Sequence, residues 1–200
     1  MPFYLDEIDG KELVIHRFYD PRIGRELVTI QAGELYASSG QELIYTVLGS
    51  CVSVCLYDET MQVGGMNHFN LSRRTPSTTQ SFTDPRRFGN TATALLLEAV
   101  LAKGALPPNL KAKVFGGAAV ARVSSEPGAL GRENVEVARR FLEENGIELV
   151  SNHVGGTAAR RILFHVKSGM VLVSTSEERG TDSDPVPSSL VLAWTKQKTT

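Results

Sequence analysis

From Glu42 the order of apolar and polar positions becomes strand-like. Leu43-Ile44-Tyr45-Thr46-Val47-Leu48 is followed by a Gly49-Ser50 break, a run from Val52 to Tyr57, a turn near Asp58-Glu59 and a run from Val63 to Leu71. Helical spacing then appears between Thr91 and Lys103, where Ala92, Leu95, Leu96, Ala99 and Val100 share a face and Gly104 supplies a stop. It recurs between Asn134 and Glu144, with Val135, Ala138, Phe141 and Leu142 inward and Gly146 as punctuation. Leu110 to Phe115 reads as a short strand ending in Gly116-Gly117. Strands at 147–152, 162–166 and 170–174 follow, the last two joined by the hairpin signal Lys167-Ser168-Gly169. Strands outnumber helices and only some alternate with them, so the predicted class is α+β, layered β-sheets flanked by helices.

The ends break the pattern. Residues 1–29 mix charge and apolar groups without a clear period and read as an N-terminal extension, with Asp20-Pro21-Arg22-Ile23-Gly24 as a turn. Residues 176–200 begin as a Ser-, Thr-, Asp-, Glu- and Pro-rich flexible tail, within which Leu190 to Trp194 is expected as a terminal strand or docking segment. Residues 72–87 are polar and Pro-punctuated, a mobile loop placed to gate whatever lies upstream.

Composition narrows the partners. With 42% hydrophobic and 22% charged residues, 200 residues suit one globular domain with extensions. A formal net charge of -1 gives no footprint for nucleic acid or an anionic membrane. No basic stretch leads into an apolar one at the start, and no window reaches the roughly 18 apolar residues of a membrane span. The expectation is a cytoplasmic protein without membrane insertion.

The candidate chemistry centres on Cys51, at the end of Leu48-Gly49-Ser50-Cys51, and His68, within Gly64-Gly65-Met66-Asn67-His68-Phe69. A thiolate is a strong nucleophile, and an imidazole can help ionise it and return a proton to a leaving group. The same two residues also fit a small buried hydrophobe and a hydrogen-bonded strand histidine. Cys51 and Cys55 would lie about 13 Å apart on one face of a strand, too far for a disulfide. On a helix they could join two of the four histidines around zinc, but the β-branched composition there argues against a helix. Gly116-Gly117 and Gly155-Gly156 lack the spacing of a phosphate loop. They read chiefly as close backbone packing, and otherwise as shaping a cleft or donating N–H groups to an oxyanion. Arg139-Arg140 and Arg160-Arg161 read as solvated faces, Cys55 as a core residue, Asn67 as a strand-end residue or an orienter of His68 or a substrate amide, and His153 and His165 as ordinary structural or surface positions.

The run Thr46-Val-Leu-Gly-Ser-Cys51-Val-Ser-Val-Cys-Leu-Tyr-Asp58, then Gly64-Gly-Met-Asn-His68-Phe, closely resembles the CheD family of chemoreceptor glutamine deamidases. Phe88-Gly-Asn-Thr-Ala92, Phe115-Gly-Gly-Ala118, Leu130-Gly-Arg-Glu-Asn134 and Val154-Gly-Gly-Thr-Ala-Ala-Arg160 look like later blocks of that family, in order. The resemblance covers roughly residues 30–175 and implies a cysteine-hydrolase-like domain over that span. It also implies a cytoplasmic enzyme that hydrolyses particular receptor glutamines to glutamate, acting on the cytoplasmic domains of methyl-accepting chemoreceptors, with a CheC-type phosphatase as a further partner and no cofactor. Residue by residue, it puts the nucleophile on Cys51, the histidine on His68 and the third member on Thr46, whose inward or outward orientation depends on strand register. Other readings remain at this level: a non-catalytic module regulating a CheC-type phosphatase, another thiol enzyme such as a transglutaminase or small-amide hydrolase, or a metalloprotein.

Overall fold

The computed structural model describes residues 16–70, 87–120, 128–176 and 186–197. In chain order these form β1 (His16–Asp20), β2 (Arg25–Thr29), β3 (Leu35–Ser38), β4 (Leu43–Leu48), β5 (Val52–Asp58) and β6 (Val63–Asn67). There follow α1 (Gly89–Ala102), β7 (Lys111–Gly116), α2 (Ala129–Glu144), β8 (Glu148–Val154), β9 (Arg160–His165), β10 (Val171–Thr175) and α3 (Ser188–Gln197). The strands make two mixed five-stranded sheets, β1-β2-β4-β9-β10 and β3-β6-β5-β7-β8.

Three separate cores stack these elements into an α+β sandwich. Val52, Val54 and Leu56 of β5 and Ala112 and Val114 of β7 pack against Leu96 and Val100 of α1 and Val135 and Leu142 of α2. The alternate positions Cys55 and Tyr57, with Met66 and Phe115, face the other sheet and meet Val28, Ile44, Leu48, Ile162 and Phe164. The outer face of that first sheet, through Leu27, Leu43, Tyr45 and Leu163, packs on Leu190, Val191 and Trp194 of α3. Both faces of both sheets are thus covered over most of their area, which is why the strands read as nearly continuous apolar runs.

Two expectations about the ends change. Residues 16–29, expected as an extension, contribute β1 and β2, and β2 pairs in parallel with β4 through Leu27–Leu43 and Val28–Ile44. Leu27 faces α3 and Val28 faces the opposite sheet, so consecutive residues are both buried and no alternating period shows. Leu190 to Trp194, expected as a terminal strand or a docking segment, is not a strand: it lies in α3, where Leu190, Val191 and Trp194 form one helical stripe docked against the first sheet. A five-residue apolar run is too short to distinguish the two periods. The flexible tail expected at 176–200 falls, over 177–185 and 198–200, outside the described residues.

Arg160 is also corrected: it is buried, not solvated, and its Nη1 and Nη2 donate to the carbonyls of Gly116 (2.5 Å) and Gly155 (2.6 Å). Arg139 and Arg140 lie on the exposed face of α2 as expected. Gly64 and Gly65 lie within β6, where a Cβ on Gly65 would stand 2.8 Å from the Tyr36 carbonyl and 2.9 Å from Leu96. Bare backbone there lets β3 and α1 approach.

Candidate active site

Thr46 sits on β4 of the first sheet, whereas His68 follows β6 and Cys51 immediately precedes β5 in the second. The register of β4 is settled by its neighbours: Ile44 and Leu48 face the other sheet, and Leu43 and Tyr45 face α3. Thr46 therefore points into the space between the sheets, where its Oγ1 lies 2.8 Å from His68 Nδ1. The same oxygen is 2.7 Å from the Ile30 carbonyl, which can only accept, so the single hydroxyl proton goes there. Thr46 is left to accept from the ring, which fixes the proton on Nδ1 and the lone pair on Nε2. Nε2 is buried and has no partner among the described residues.

The backbone holds His68 on two sides. Its N–H donates to the Glu34 carbonyl at 2.9 Å, and its own carbonyl accepts from Gly33 at 2.8 Å. Burial pushes its pKa down to about 4, with the Ile30 carbonyl pulling weakly the other way. The threonine is neutral and supplies no charge to reverse this. At neutral pH the imidazole is therefore an uncharged base.

Cys51 is half-buried against the inter-sheet core. Val52 and Phe69 exchange hydrogen bonds of 2.9 and 3.0 Å, which makes Cys51 and His68 diagonal neighbours across the two strands. Such neighbours have Cα atoms roughly 7 to 8 Å apart, within reach of their side chains. The turn carrying the thiol is pinned through three successive carbonyls. Gly49 accepts from Ala118 at 2.8 Å, Ser50 from the Asn134 side chain at 3.1 Å, and Cys51 from Gly117 at 2.8 Å. No backbone carbonyl among the described residues accepts from the N–H groups of Gly49 and Ser50, and the Ser50 N–H points away from the Gly49 carbonyl across their trans peptide.

Burial raises the Cys51 pKa above its usual value, and its own backbone N–H and the Arg87 guanidinium oppose that rise. The resting pair is thus a neutral thiol and a neutral imidazole. The thiol is not acidified in advance, so proton transfer has to accompany attack.

The first glycine pair serves close packing, whereas Gly155-Gly156 makes a left-handed turn with open space around Gly155. Gly116 has φ +110°, and a Cβ on it would fall 2.1 Å from the Cys51 carbonyl oxygen; Gly117 packs against Gly131 and Val135 of α2. The Gly117 N–H is spent on Cys51 and is not available to an oxyanion. Asn67, fully buried, accepts from the Val54 N–H at 2.8 Å and reaches Thr93 of α1 at 3.3 Å, which directs it away from the His68 side of the sheet. Cys55 lies in the core, where burial raises its pKa steeply. His153 is exposed on β8, and His165 stacks edge-on against Trp194. Of the loop expected at 72–87 to gate the site, residues 72–86 lie outside the described residues.

Sequence reasoning missed the Ile30 carbonyl, Asn134 and Arg160. The first carries no side-chain signal. Asn134 falls inside a block noted for resemblance alone and Arg160 was read as solvated, and their contacts with Ser50 and Gly116 span 84 and 44 positions of chain.

A family model described as "CheD chemotactic sensory transduction" matches residues 71–175. Curated relatives extend the likeness. A "Probable chemoreceptor glutamine deamidase CheD 1" of Ruegeria sp. (strain TM1040) is 43% identical over 143 residues, 71% of this chain and 73% of its own. One of the same name from Anaeromyxobacter dehalogenans (strain 2CP-C) is 42% identical over 150 residues, 75% of this chain and 85% of its own. A "Probable chemoreceptor glutamine deamidase CheD" of Herminiimonas arsenicoxydans is 35% identical over 169 residues, covering 84% of this chain and 83% of its own. An alignment of that extent necessarily spans Thr46, Cys51 and His68. With half of its length matched by the family model and relatives above one-third identity along most of theirs, this chain belongs to the CheD family.

Proposed function

We propose that the protein is a chemoreceptor glutamine deamidase, with Cys51 as nucleophile, His68 as acid and base, and Thr46 as the residue that orients the imidazole. The observation that carries the residue roles is the Thr46–His68 hydrogen bond, which leaves an unpartnered basic nitrogen in the space that Cys51 also faces. Sγ attacks the side-chain carbonyl carbon of glutamine while Nε2 takes the thiol proton. Ammonia cannot leave as an amide anion, so Nε2 returns that proton to nitrogen as the tetrahedral adduct collapses to a thioester. Water, deprotonated by the same nitrogen, then releases glutamate and regenerates the thiol. The free N–H groups of the Gly49–Ser50 turn are the donors best placed for the oxyanion.

A low histidine pKa suits this cycle. Nε2 is ready as a base at neutral pH, and once protonated it is a strong acid toward a poor leaving group. The substrate glutamines belong to chemoreceptor cytoplasmic domains, the reaction takes place in the cytoplasm, and a CheC-type phosphatase regulates access. No helix among the described residues is long and apolar enough to cross a membrane.

The test is mass spectrometry of a chemoreceptor cytoplasmic fragment incubated with wild-type protein or Cys51→Ala. Deamidation adds about 1 Da per site, as NH2 is replaced by OH. A gain with wild type alone supports the reading. No gain on any receptor fragment, with tight binding to a CheC-type phosphatase intact, would replace it with a regulatory binding module.

A further inference from the structure

Thiol, imidazole and threonine are all uncharged in the resting site, yet the first step creates an anion at Cys51 in a place where burial opposes one. Strand register brings a cation to that place. Because Val52 pairs with Phe69, Asn70 stands opposite Cys51. Asn70 grips Arg87 at two points. Its backbone N–H donates to the Arg87 carbonyl at 3.2 Å, and Arg87 Nε donates to its Oδ1 at 3.0 Å. From the other side the Arg87 stem rests on Gly33, where a Cβ would stand 3.1 Å from Arg87 Cγ, and the Gly33 N–H is the group that holds the His68 carbonyl. Arg87 is therefore held through its guanidinium by Asn70, opposite Cys51, and through its stem by Gly33, beside His68.

We propose that Arg87 is a positioning residue for the reaction, its guanidinium stabilising negative charge at Cys51, first on the thiolate and then on the tetrahedral adduct. This rests on the reading of Cys51 as nucleophile. As the thiol proton moves to Nε2, the electron pair stays on sulfur, enters the new carbon–sulfur bond, and displaces charge onto the former carbonyl oxygen. A fixed cation favours each of these arrangements over the neutral resting pair. Arginine suits the post because Nε can be spent on Asn70 while the charge stays delocalised over the terminal nitrogens. A lysine would keep the charge and lose the tether. The Arg87 guanidinium opposes the burial-driven rise in the Cys51 pKa. Arg160 is engaged with the Gly116 and Gly155 carbonyls and is unchanged in the variants compared below.

The test follows alkylation of Cys51 by iodoacetamide from neutral to alkaline pH, resolved by peptide mass spectrometry, in wild type, Arg87→Gln and Arg87→Lys. Expected is an upward move of the Cys51 midpoint in Arg87→Gln by about half a pH unit or more, mostly restored in Arg87→Lys. The difference shrinks in about 1 M salt, since a partly exposed cation is screened. Turnover of a receptor fragment by Arg87→Gln falls about threefold or more, in step with that shift, at an unchanged melting temperature. A midpoint coincident with wild type overturns the proposal whatever the deamidase rate. So does a shift that neither lysine nor salt alters, which would mark a packing effect. If wild-type protein deamidates no receptor fragment, the activity proposed above fails, while the alkylation profiles still decide whether Arg87 acts on the thiol.

Discussion

Replacing Thr46 by Val removes one oxygen from a position that is 1% exposed and leaves its volume almost unchanged. Two buried groups lose a partner: the Ile30 carbonyl, bonded at 2.7 Å, and His68 Nδ1, at 2.8 Å. Each such loss costs about 1 to 3 kcal/mol when nothing replaces the bond. Here Nδ1–H and the Ile30 carbonyl lie close enough to compensate one another in part, so the net loss of stability is about 1 to 3 kcal/mol. The larger effect is on turnover. With Oγ1 gone, only the Ile30 carbonyl is left to hold the ring proton on Nδ1, and the form carrying the lone pair at Nε2 loses part of its bias, about 1.4 to 2.7 kcal/mol, or roughly 10- to 100-fold in kcat. Thr46→Ser keeps both bonds and should stay within a fewfold of wild type. The assay is the rate of mass gain on a receptor fragment well below the melting temperature, with imidazole nitrogen NMR reporting the tautomer. A valine variant that turns over within about twofold of wild type, or a wild-type ring protonated at Nε2, refutes the orienting role.

Three further outcomes follow from the same geometry. His68 has a folded pKa near 4, so between that and its ordinary value the unfolded chain binds the extra proton. Wild-type stability therefore falls by about 1.4 kcal/mol per pH unit as pH drops through that window, about 3 kcal/mol in all, and His68→Gln flattens most of the slope in urea titrations. His165, also held low by burial, adds a contribution of the same sign that the variant retains. Cys55→Ser should keep most activity, and alkylation of native wild-type protein should label Cys51 and spare the fully buried Cys55. Gly116→Ala would place a methyl 2.1 Å from the Cys51 carbonyl at a φ of +110°, so the turn must shift. The expected result is a loss of roughly 2 kcal/mol or more by thermal melting, and turnover at least tenfold down at temperatures where the variant remains folded.

The sequence made the middle of the fold legible because alternation and helical spacing there match the burial they produce. α1 buries Ala92, Leu96, Ala99 and Val100, and the turn after β9 is the hairpin expected at Lys167-Ser168-Gly169. It failed at both ends for one shared reason. Phe18, Leu27 and the α3 stripe cover the outer face of a sheet whose other strands are more than a dozen residues away in sequence, and no local period records that. Cys51 and His68 could be named because a thiol and an imidazole beside small residues suggest chemistry wherever they fold. The face of Thr46 could not be read from its own strand, where both sides are buried. Arg160 was misjudged because a charged residue normally implies solvent, and the carbonyls that receive it are contributed by Gly116 at the end of β7 and by Gly155 in the turn after β8.

Thr46 and His68 belong to different sheets, and the buried side chains packed between those sheets help to set their separation at this point. Their hydrogen bond thus acts as a gauge of the gap. Opened by about 1 Å, the 2.8 Å contact ceases to be a hydrogen bond at all. Met66, Phe115, Ile162 and Phe164, none of them chemical participants, serve as spacers that set this distance. Cores ordinarily tolerate volume changes that cost a kilocalorie or so. In this layer the permitted error is smaller than stability alone would demand, and a substitution that leaves the protein folded can still put the imidazole out of reach of its partner.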